Sequence, residues 1–156
     1  MSLRPGDSAP DFTLFDSEQT PFTLSEASSP TVLLFVPGAF TSVCTDELNL
    51  VANDYASYQD RGAEVVGLST DSPFVLAEFK KVHGFPFRLL SDHNAEVCAA
   101  YGAKYDNDFT GMNLDRIARR AAFVIGADGS VLYAEVLESA GDLPDFDRAL
   151  AALDAA

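Results

Sequence analysis

The amino-acid sequence predicts an α/β fold in which a mixed central sheet lies between helices. Two apolar runs rich in β-branched residues, 31–36 and 64–69, are typical of parallel strands that are buried on both faces. A stretch with helical periodicity separates them and supplies the crossover that parallel strands require. Two later runs, 121–125 and 131–136, flank an Asp-Gly reversal and predict an antiparallel hairpin. Parallel and antiparallel pairs in one chain, with helices between them, indicate a mixed sheet flanked by helices.

The N-terminal part of the chain predicts a small hairpin followed by the first crossover helix. Segments 12–15 and 22–24 are strand-like and flank a polar turn. After the strand at 31–36, apolar residues recur at helical spacing through 46–58, which predicts a helix. Gly62 follows as a stop signal before the next strand.

The middle of the chain predicts two further helices around a short strand. Ser72 is expected to cap a helix that starts at Pro73 and ends at Gly84. The apolar stripe of this helix is expected to comprise Val75, Leu76, Phe79 and Val82. A short strand at 87–90 and a short helix at 94–101 follow it.

The last third predicts a loop, the late hairpin and a terminal helix. The segment 104–113 is polar, contains Gly111 and is typical of a loop. Beyond the hairpin, Leu143 and Pro144 predict the start of a helix. Its apolar side is expected to carry Phe146, Leu150 and Leu153.

Length and charge limit the classes of protein to which the chain can belong. Its 156 residues, 47% of them hydrophobic, suit a single domain over 1–156. The sequence has neither a basic start followed by an apolar core nor an apolar run of about 20 residues, which spans a bilayer, so we expect a cytoplasmic protein. The net charge of −14 repels phosphate groups and argues against nucleic acid and anionic membranes as partners.

Cysteine and histidine residues are too few and too far apart to predict a metal site. The two cysteines, Cys44 and Cys98, form neither a Cys-x-x-Cys pair nor a zinc-binding spacing. His83 precedes a glycine at an expected helix C-terminus, and His93 lies in a polar turn. Both positions are typical of structural histidines.

Cys44 is the strongest candidate for chemistry because it lies where a strand passes into a helix. Free N–H groups in a first helical turn and the positive end of the helix dipole favour an anion there. The thiol of Cys44 is therefore expected to ionise more easily than that of a free cysteine, and the thiolate is the nucleophilic form. The alternative is that Cys44 is a small buried hydrophobe, as many unpaired cysteines are.

The pattern Pro37-x-x-x-Thr41-x-x-Cys44 resembles the active-site signature of peroxiredoxins, which are thiol-dependent peroxidases with a thioredoxin-like fold. Further segments similar to that family occur in the family's order along nearly the whole chain: 9–14, 85–92, 100–102 and 120–125. Within the family, the residues around Cys44 are most similar to the one-cysteine alkyl hydroperoxide reductase E branch. The bacterioferritin comigratory protein branch is the next most similar.

The resemblance implies that the Cys44 thiolate attacks a hydroperoxide to give a cysteine sulfenic acid and water or an alcohol, without a cofactor. It implies that the Thr41 hydroxyl faces the peroxide and contacts the sulfur; alternatively, Thr41 only caps the helix or ends the strand. Pro37 is expected to restrict the loop and to shield the sulfur with apolar surface, or simply to form a turn.

A cation beside the sulfur is expected to come from Arg120. In peroxiredoxins the active-site arginine precedes the phenylalanine of the late strand by three residues, and that position is Arg120 here. Alternation along a strand leaves Arg119 as a solvated or interface charge. Glu47 occupies a position where the family often has an acid that orients arginines, although an acid is also favourable in any first helical turn.

The resemblance also bears on how the sulfenic acid is reduced. In the comigratory-protein branch a second cysteine commonly follows the first by five residues, and Asn49 occupies that position here. Cys98 is expected to be a buried structural thiol; the alternative is a Cys44–Cys98 disulfide. A one-cysteine mechanism follows, in which a thioredoxin-like protein or a low-molecular-weight thiol is the reductant.

Two other functions remain open at this point. A peroxide sensor of the same fold would pass oxidation of Cys44 on to partner proteins. A holdase or interaction protein would have only incidental thiol reactivity. Members of the family often form homodimers through the edge near the catalytic loop, and no sequence feature fixes the oligomer here.

Overall fold

A computed structural model describes residues 2–156 of the chain. Its strands are β1 (Thr13–Phe15), β2 (Pro21–Thr23), β3 (Thr31–Phe35), β4 (Glu64–Ser69), β5 (Arg88–Ser91), β6 (Ala121–Ile125) and β7 (Val131–Val136). Its helices are α1 (Ser42–Asn53), α2 (Tyr55–Gln59), α3 (Pro73–His83), α4 (Glu96–Ala100) and α5 (Phe146–Asp154), with a 3₁₀ turn at Leu24–Glu26. No helix within this described part is long and apolar enough to cross a membrane.

The central sheet is mixed, as the sequence predicts. Its five strands lie in the order β5-β4-β3-β6-β7, with β3 parallel to β4 and antiparallel to β6. Every residue of β3 and β6 is buried, because helices or the separate β1-β2 hairpin cover both faces. The pairing of Phe35 with Ala121 brings the start of β6 beside the end of β3. This junction positions the candidate site.

The sheet separates two apolar clusters. Alternate side chains of β3 point to opposite faces, so that Val32 and Leu34 belong to one cluster and Leu33 and Phe35 to the other. The first cluster is formed with α1, α3 and α5, and the second with the hairpin and α4. Each large apolar side chain that is fully buried in these clusters contributes about 1.5–3 kcal/mol to folding.

The first crossover helix differs from its prediction at both ends. It starts at Ser42 instead of 46, so the candidate cysteine lies inside its first turn. It ends at Asn53 because Asp54 adopts a non-helical conformation, with φ −108° and ψ 20°, before α2 begins. The predicted single helix is thus two helices with one break.

Helix α3 confirms its predicted ends but only half of its predicted apolar stripe. The Ser72 hydroxyl accepts a hydrogen bond from the Val75 N–H at 3.3 Å, and Gly84 closes the helix with a positive φ of 66°. Val75 and Val82 are 40% and 58% exposed, so their assignment to the buried stripe was wrong.

The remaining elements lie within two or three residues of their predicted bounds. Strands β6 and β7 have the predicted limits, and β5 and α4 are displaced or shortened by one or two residues. Helix α5 starts at Phe146, later than predicted, because the Asp145 carboxylate caps it by accepting from the Arg148 N–H at 3.2 Å.

Candidate active site

Cys44 lies in the first turn of α1 with its side chain completely buried. Thr41 is the N-cap residue, with extended backbone at φ −82° and ψ 150°, and the helix begins at Ser42. The residue exposure of Cys44 is 0%. The sulfur therefore lies where free helical N–H groups and the helix dipole favour negative charge, and it is shielded from bulk water.

Arg120 contacts the sulfur directly. Its Nη2 donates a hydrogen bond to Cys44 Sγ at 3.3 Å. The contact joins residues far apart in sequence, and the strand order explains it. Arg120 immediately precedes β6, whose first residue pairs with the last residue of β3, and the loop after β3 leads to Cys44.

Besides Cys44, two groups hold the guanidinium of Arg120 in one orientation through three hydrogen bonds. Nη1 donates to Glu47 Oε1 at 2.8 Å, and Nη2 and Nε donate to the Ala140 carbonyl at 2.9 Å and 3.2 Å. Burial lowers the pKa of Arg120, but the bonds to Glu47 and the charge of Cys44 more than offset this, so its pKa is raised. Arg120 is 1% exposed and keeps its positive charge beside the sulfur.

Glu47 lies one helical turn after Cys44 and therefore on the same side of α1. The side chain is fully buried, and its contact with Arg120 is the one that the sequence position suggested. Burial raises the pKa of Glu47 to about 7; the hydrogen bond and charge of Arg120 oppose this shift without cancelling it. Its second oxygen, Oε2, has no hydrogen-bond partner among the described residues.

The raised pKa of Glu47 predicts how stability depends on pH. The folded state holds the Glu47 proton more tightly than the unfolded state between the ordinary pKa of 4.5 and about 7. The free energy of unfolding should therefore fall as pH rises through this window, by an amount on the order of 3 kcal/mol. A Glu47→Gln variant should lose this part of the pH dependence of stability.

Urea unfolding at about pH 5 and about pH 8 measures the difference between the two pH values. Glu138→Gln is the matched control, since Glu138 is exposed and its replacement should leave the pH dependence of the wild type intact. An unchanged pH dependence in Glu47→Gln would contradict the proposed titration of Glu47.

The loop between β3 and α1 is fixed by bonds that the sequence did not reveal. The Ala39 N–H donates to Asp71 Oδ2 at 2.8 Å, and the Ser69 hydroxyl donates to the same oxygen at 2.7 Å. The loop is thus attached to the end of β4. Phe40 has a positive φ of 64°, a strained conformation for a bulky residue, and its ring packs 4.9 Å from that of Phe79.

Thr41 and Pro37 lie in this loop, but the expected contact between Thr41 and the sulfur is absent. The Thr41 hydroxyl donates to the Gly38 carbonyl at 2.7 Å, and its side chain makes no capping hydrogen bond. The hydroxyl therefore points at the Gly38 carbonyl within the turn and not, as expected, at the sulfur. Pro37 is partly buried at the bend directly after the β3 segment.

Arg119, expected to be a solvated or interface charge, is partly buried and bonded within the chain. Its Nη2 and Nε donate to the Leu137 carbonyl at 3.0 Å and 3.2 Å, and its guanidinium lies 5.8 Å from the ring centre of Tyr105. The two adjacent arginines nevertheless have different surroundings, and Arg120 alone of the pair donates to the sulfur. The separation of their functions agrees with strand alternation.

Cys98 lies on the opposite side of the sheet from Cys44. It belongs to the cluster around α4, whereas Cys44 belongs to the cluster around α1. Burial, followed by the charge of Asp92, raises the pKa of the Cys98 thiol to about 12. Its Sγ donates to the Ala95 carbonyl at 3.5 Å. Cys98 is a buried free thiol, and its burial is as the sequence predicts.

The histidines have the structural surroundings expected of them. His83 stacks on Phe85 with ring centres 5.4 Å apart, and His93 Nδ1 lies 3.3 Å from the Thr70 carbonyl oxygen. Across residues 2–156, no cluster of three or more histidine, cysteine or acidic side chains is arranged to hold a metal ion.

Comparison with known proteins agrees with this geometry. The model of the AhpC/TSA family matches residues 5–134. Peroxiredoxin Bcp of Escherichia coli strain K12 is 34% identical over 130 residues, which is 83% of each chain. A thiol peroxidase of Staphylococcus aureus strain MRSA252 is 34% identical over 154 residues, covering 97% of this chain and 88% of that protein.

Solved peroxiredoxin structures have the same fold as this chain. Peroxidoxin BcpB from Mycobacterium tuberculosis superposes with a TM-score of 0.85 at 34% identity, covering 98% of this chain and 97% of that chain. Peroxiredoxin Q of Xanthomonas campestris has a TM-score of 0.81 at 28% identity, covering 98% and 96% of the two chains.

Proposed function

The chain belongs to the AhpC/TSA family and is a peroxiredoxin, a thiol-dependent peroxidase, and from this premise we propose that Cys44 is its peroxide-reducing residue. Its thioredoxin-like fold is that of the peroxiredoxin structures it matches. One observation carries the assignment: a charged guanidinium, that of Arg120, lies 3.3 Å from a thiol in the first turn of a helix. Both features set positive charge beside the attacking sulfur.

The proposed reaction is a displacement at oxygen. The Cys44 thiolate attacks the terminal oxygen of a hydroperoxide, an S–O bond forms and the O–O bond breaks. The leaving oxygen departs with the electron pair and takes a proton from water, which gives an alcohol or water and leaves a sulfenic acid. Arg120 stabilises the charge that moves from sulfur to the leaving oxygen, because its orientation is already fixed by Glu47 and the Ala140 carbonyl.

Pro37 and Thr41 are proposed to shape the peroxide site from the loop. Pro37 limits the backbone conformations that the turn can adopt. The Thr41 hydroxyl, which donates to the Gly38 carbonyl, can donate to a bound peroxide instead after rotation about its Cα–Cβ bond. Thr41 can therefore act as a donor to the peroxide only if its hydroxyl turns from the Gly38 carbonyl to the peroxide oxygen.

Turnover uses an external thiol, and we propose that it follows a one-cysteine mechanism. The central sheet lies between Cys44 and Cys98, and Asn49 occupies the place of a nearby second cysteine. A first reductant thiol displaces water from the sulfenic acid and forms a mixed disulfide with Cys44. A second thiol then releases Cys44 and completes the reductant's disulfide. A thioredoxin-like protein or a low-molecular-weight thiol can supply both.

Wild-type protein treated with one equivalent of hydroperoxide should carry a single oxygen atom on Cys44 and no internal disulfide. The sheet that separates the cysteines supports this expectation. Trapping with a sulfenic-acid reagent, followed by peptide mass spectrometry, locates the oxygen. A Cys44–Cys98 disulfide in the same experiment would contradict the one-cysteine mechanism while leaving peroxide reduction intact.

We also propose that the protein is cytoplasmic and forms a homodimer. Thiol-dependent turnover requires a compartment in which thiols stay reduced, which supports a cytoplasmic location. A homodimer would cover the apolar ring of Phe40, which lies in the catalytic loop and is 50% exposed. Cell fractionation and light scattering on the purified protein measure the two properties.

A further inference from the structure

Two buried side-chain polar atoms have no hydrogen-bond partner within residues 2–156: Glu47 Oε2 and the hydroxyl of Tyr105. Burial of a polar atom without a partner opposes folding, so each such atom calls for an explanation. Glu47 is explained by the ion pair that its other oxygen makes with Arg120. The reaction described above does not use Tyr105.

The backbone of Tyr105 is fixed beside the segment that leads to Arg120. Its N–H donates to the Ile117 carbonyl at 3.1 Å, and the preceding Lys104 pairs with Ala118 in an antiparallel bridge. The predicted loop therefore starts with an ordered pair of segments. Its position is determined by the same stretch of chain that positions the active-site arginine.

The ring of Tyr105 is fixed as well. It stacks on Phe109 with ring centres 4.1 Å apart and planes inclined by 28°, and the Arg119 guanidinium lies 5.8 Å from its centre. A ring with contacts of this kind holds its hydroxyl in one place. The fold therefore restricts where the Tyr105 hydroxyl can lie.

Tyr105 lies beside the active-site segment, because its ring contacts Arg119, the residue before Arg120, and its N–H bonds to the Ile117 carbonyl. Burial raises the pKa of Tyr105; the charges of Arg119 and Arg120 lower it, and the charge of Cys44 raises it. The net effect is a raised pKa, so the phenol keeps its proton at neutral pH and can donate it in a hydrogen bond. The reduced protein offers this donor no acceptor.

We propose that the Tyr105 hydroxyl is a second hydrogen-bond donor of the peroxide site, whose acceptor is an oxygen of the bound hydroperoxide. The inference rests on the proposed function of Cys44. Tyr105 donates a hydrogen bond to the leaving oxygen while the S–O bond forms and the O–O bond breaks, and it transfers no proton. The leaving oxygen takes its proton from water as it departs. A donor without an acceptor in the reduced enzyme then gains one only when substrate binds, which favours the transition state.

Tyr105→Phe tests this proposal because it removes the hydroxyl and keeps the ring that stacks on Phe109. The second-order rate constant for oxidation of Cys44 by hydroperoxide should fall about tenfold. The thiolate fraction of Cys44, measured by the rate of alkylation, should stay at the wild-type value, since the hydroxyl makes no bond to the sulfur. The midpoint of urea unfolding should stay the same or rise, because an unpartnered buried hydroxyl is lost.

Tyr101→Phe is the matched control. The Tyr101 hydroxyl has a partner, the Pro10 carbonyl at 2.6 Å, and its ring lies in the cluster on the other side of the sheet from Cys44. This variant should lose stability and keep the wild-type oxidation rate. The two tyrosine variants should therefore show opposite patterns of rate and stability.

Oxidation of Tyr105→Phe at the wild-type rate would overturn the proposal. A slower rate accompanied by an equal loss of thiolate would also overturn it, because Tyr105 would then act through the sulfur instead of through the peroxide. Failure of the proposed function itself is a different result: wild-type Cys44 would not be oxidised at all.

Discussion

Replacement of Cys44 by serine is expected to lower peroxide reduction by more than about three orders of magnitude. Serine keeps the size and burial of the side chain, but its hydroxyl does not ionise beside Arg120 and is a far weaker nucleophile. Stopped-flow measurement of peroxide consumption in the presence of excess thiol gives the rate. Residual activity near the wild-type level would remove Cys44 as the attacking residue.

Cys98→Ser is the matched control for this variant. The substitution is the same and the site is equally buried, but it lies in the other apolar cluster. The serine hydroxyl can donate to the Ala95 carbonyl, as the thiol does, so the cost in stability should stay within about 1–3 kcal/mol. Peroxide turnover should be retained. Loss of turnover with normal oxidation of Cys44 would instead indicate that Cys98 resolves the sulfenic acid.

The central sheet was predictable because its signals are local and strong. Strands β6 and β7 were predicted with their observed limits from apolar runs on either side of an Asp-Gly reversal. Buried strands of this kind are fixed by composition alone. The start of α1 was predicted four residues late, at 46 instead of Ser42, although Cys44 was correctly placed near the N-terminus of this helix.

The family is confirmed, and the resemblance named both residues at the centre of the site. Two of the relatives, peroxiredoxin Bcp and peroxidoxin BcpB, carry names of the comigratory-protein branch, which the motifs placed second. Motif spacing identifies Cys44 and Arg120, and the β3-β6 pairing explains why they meet.

The rest of the site could not be predicted from residue types. The Ala140 carbonyl that orients Arg120 is a backbone group, and any residue at that position would provide it. The direction of the Thr41 hydroxyl depends on a single rotation between two acceptors, which spacing cannot decide. Tyr105 lies in a segment that the sequence predicts as a loop, and its buried hydroxyl becomes evident only from the folded chain.

Replacement of Arg120 by alanine is expected to slow oxidation of Cys44 by about 100-fold, and by at least about tenfold. The change removes a donor that is fixed before substrate arrives and leaves the thiolate without its cation. The thiolate fraction of Cys44 should fall as well. Stopped-flow oxidation and alkylation rates, compared over the same pH range, separate loss of thiolate from loss of transition-state stabilisation.

Arg120→Ala should also lower stability, because it leaves the fully buried carboxylate of Glu47 unpaired. Breaking a buried ion pair typically costs about 3–5 kcal/mol. The cost should be smaller below pH 7, since burial already raises the pKa of Glu47 to about 7 and the carboxyl can take up a proton. Urea unfolding measured below and above pH 7 therefore shows whether the buried Glu47 carboxylate needs the charge of Arg120.

Arg120→Lys distinguishes charge from geometry. Lysine keeps the positive charge but cannot reach Cys44, Glu47 and the Ala140 carbonyl together, so its oxidation rate should fall between those of the wild type and the alanine variant. Arg88→Ala is the control, since it breaks the ion pair with Asp16, 3.0 Å long, at a site that contacts neither cysteine. Equal oxidation rates for Arg120→Ala and wild type would remove Arg120 from the reaction. A guanidinium that stabilises the transition state from contact with the nucleophile must slow the reaction when it is lost.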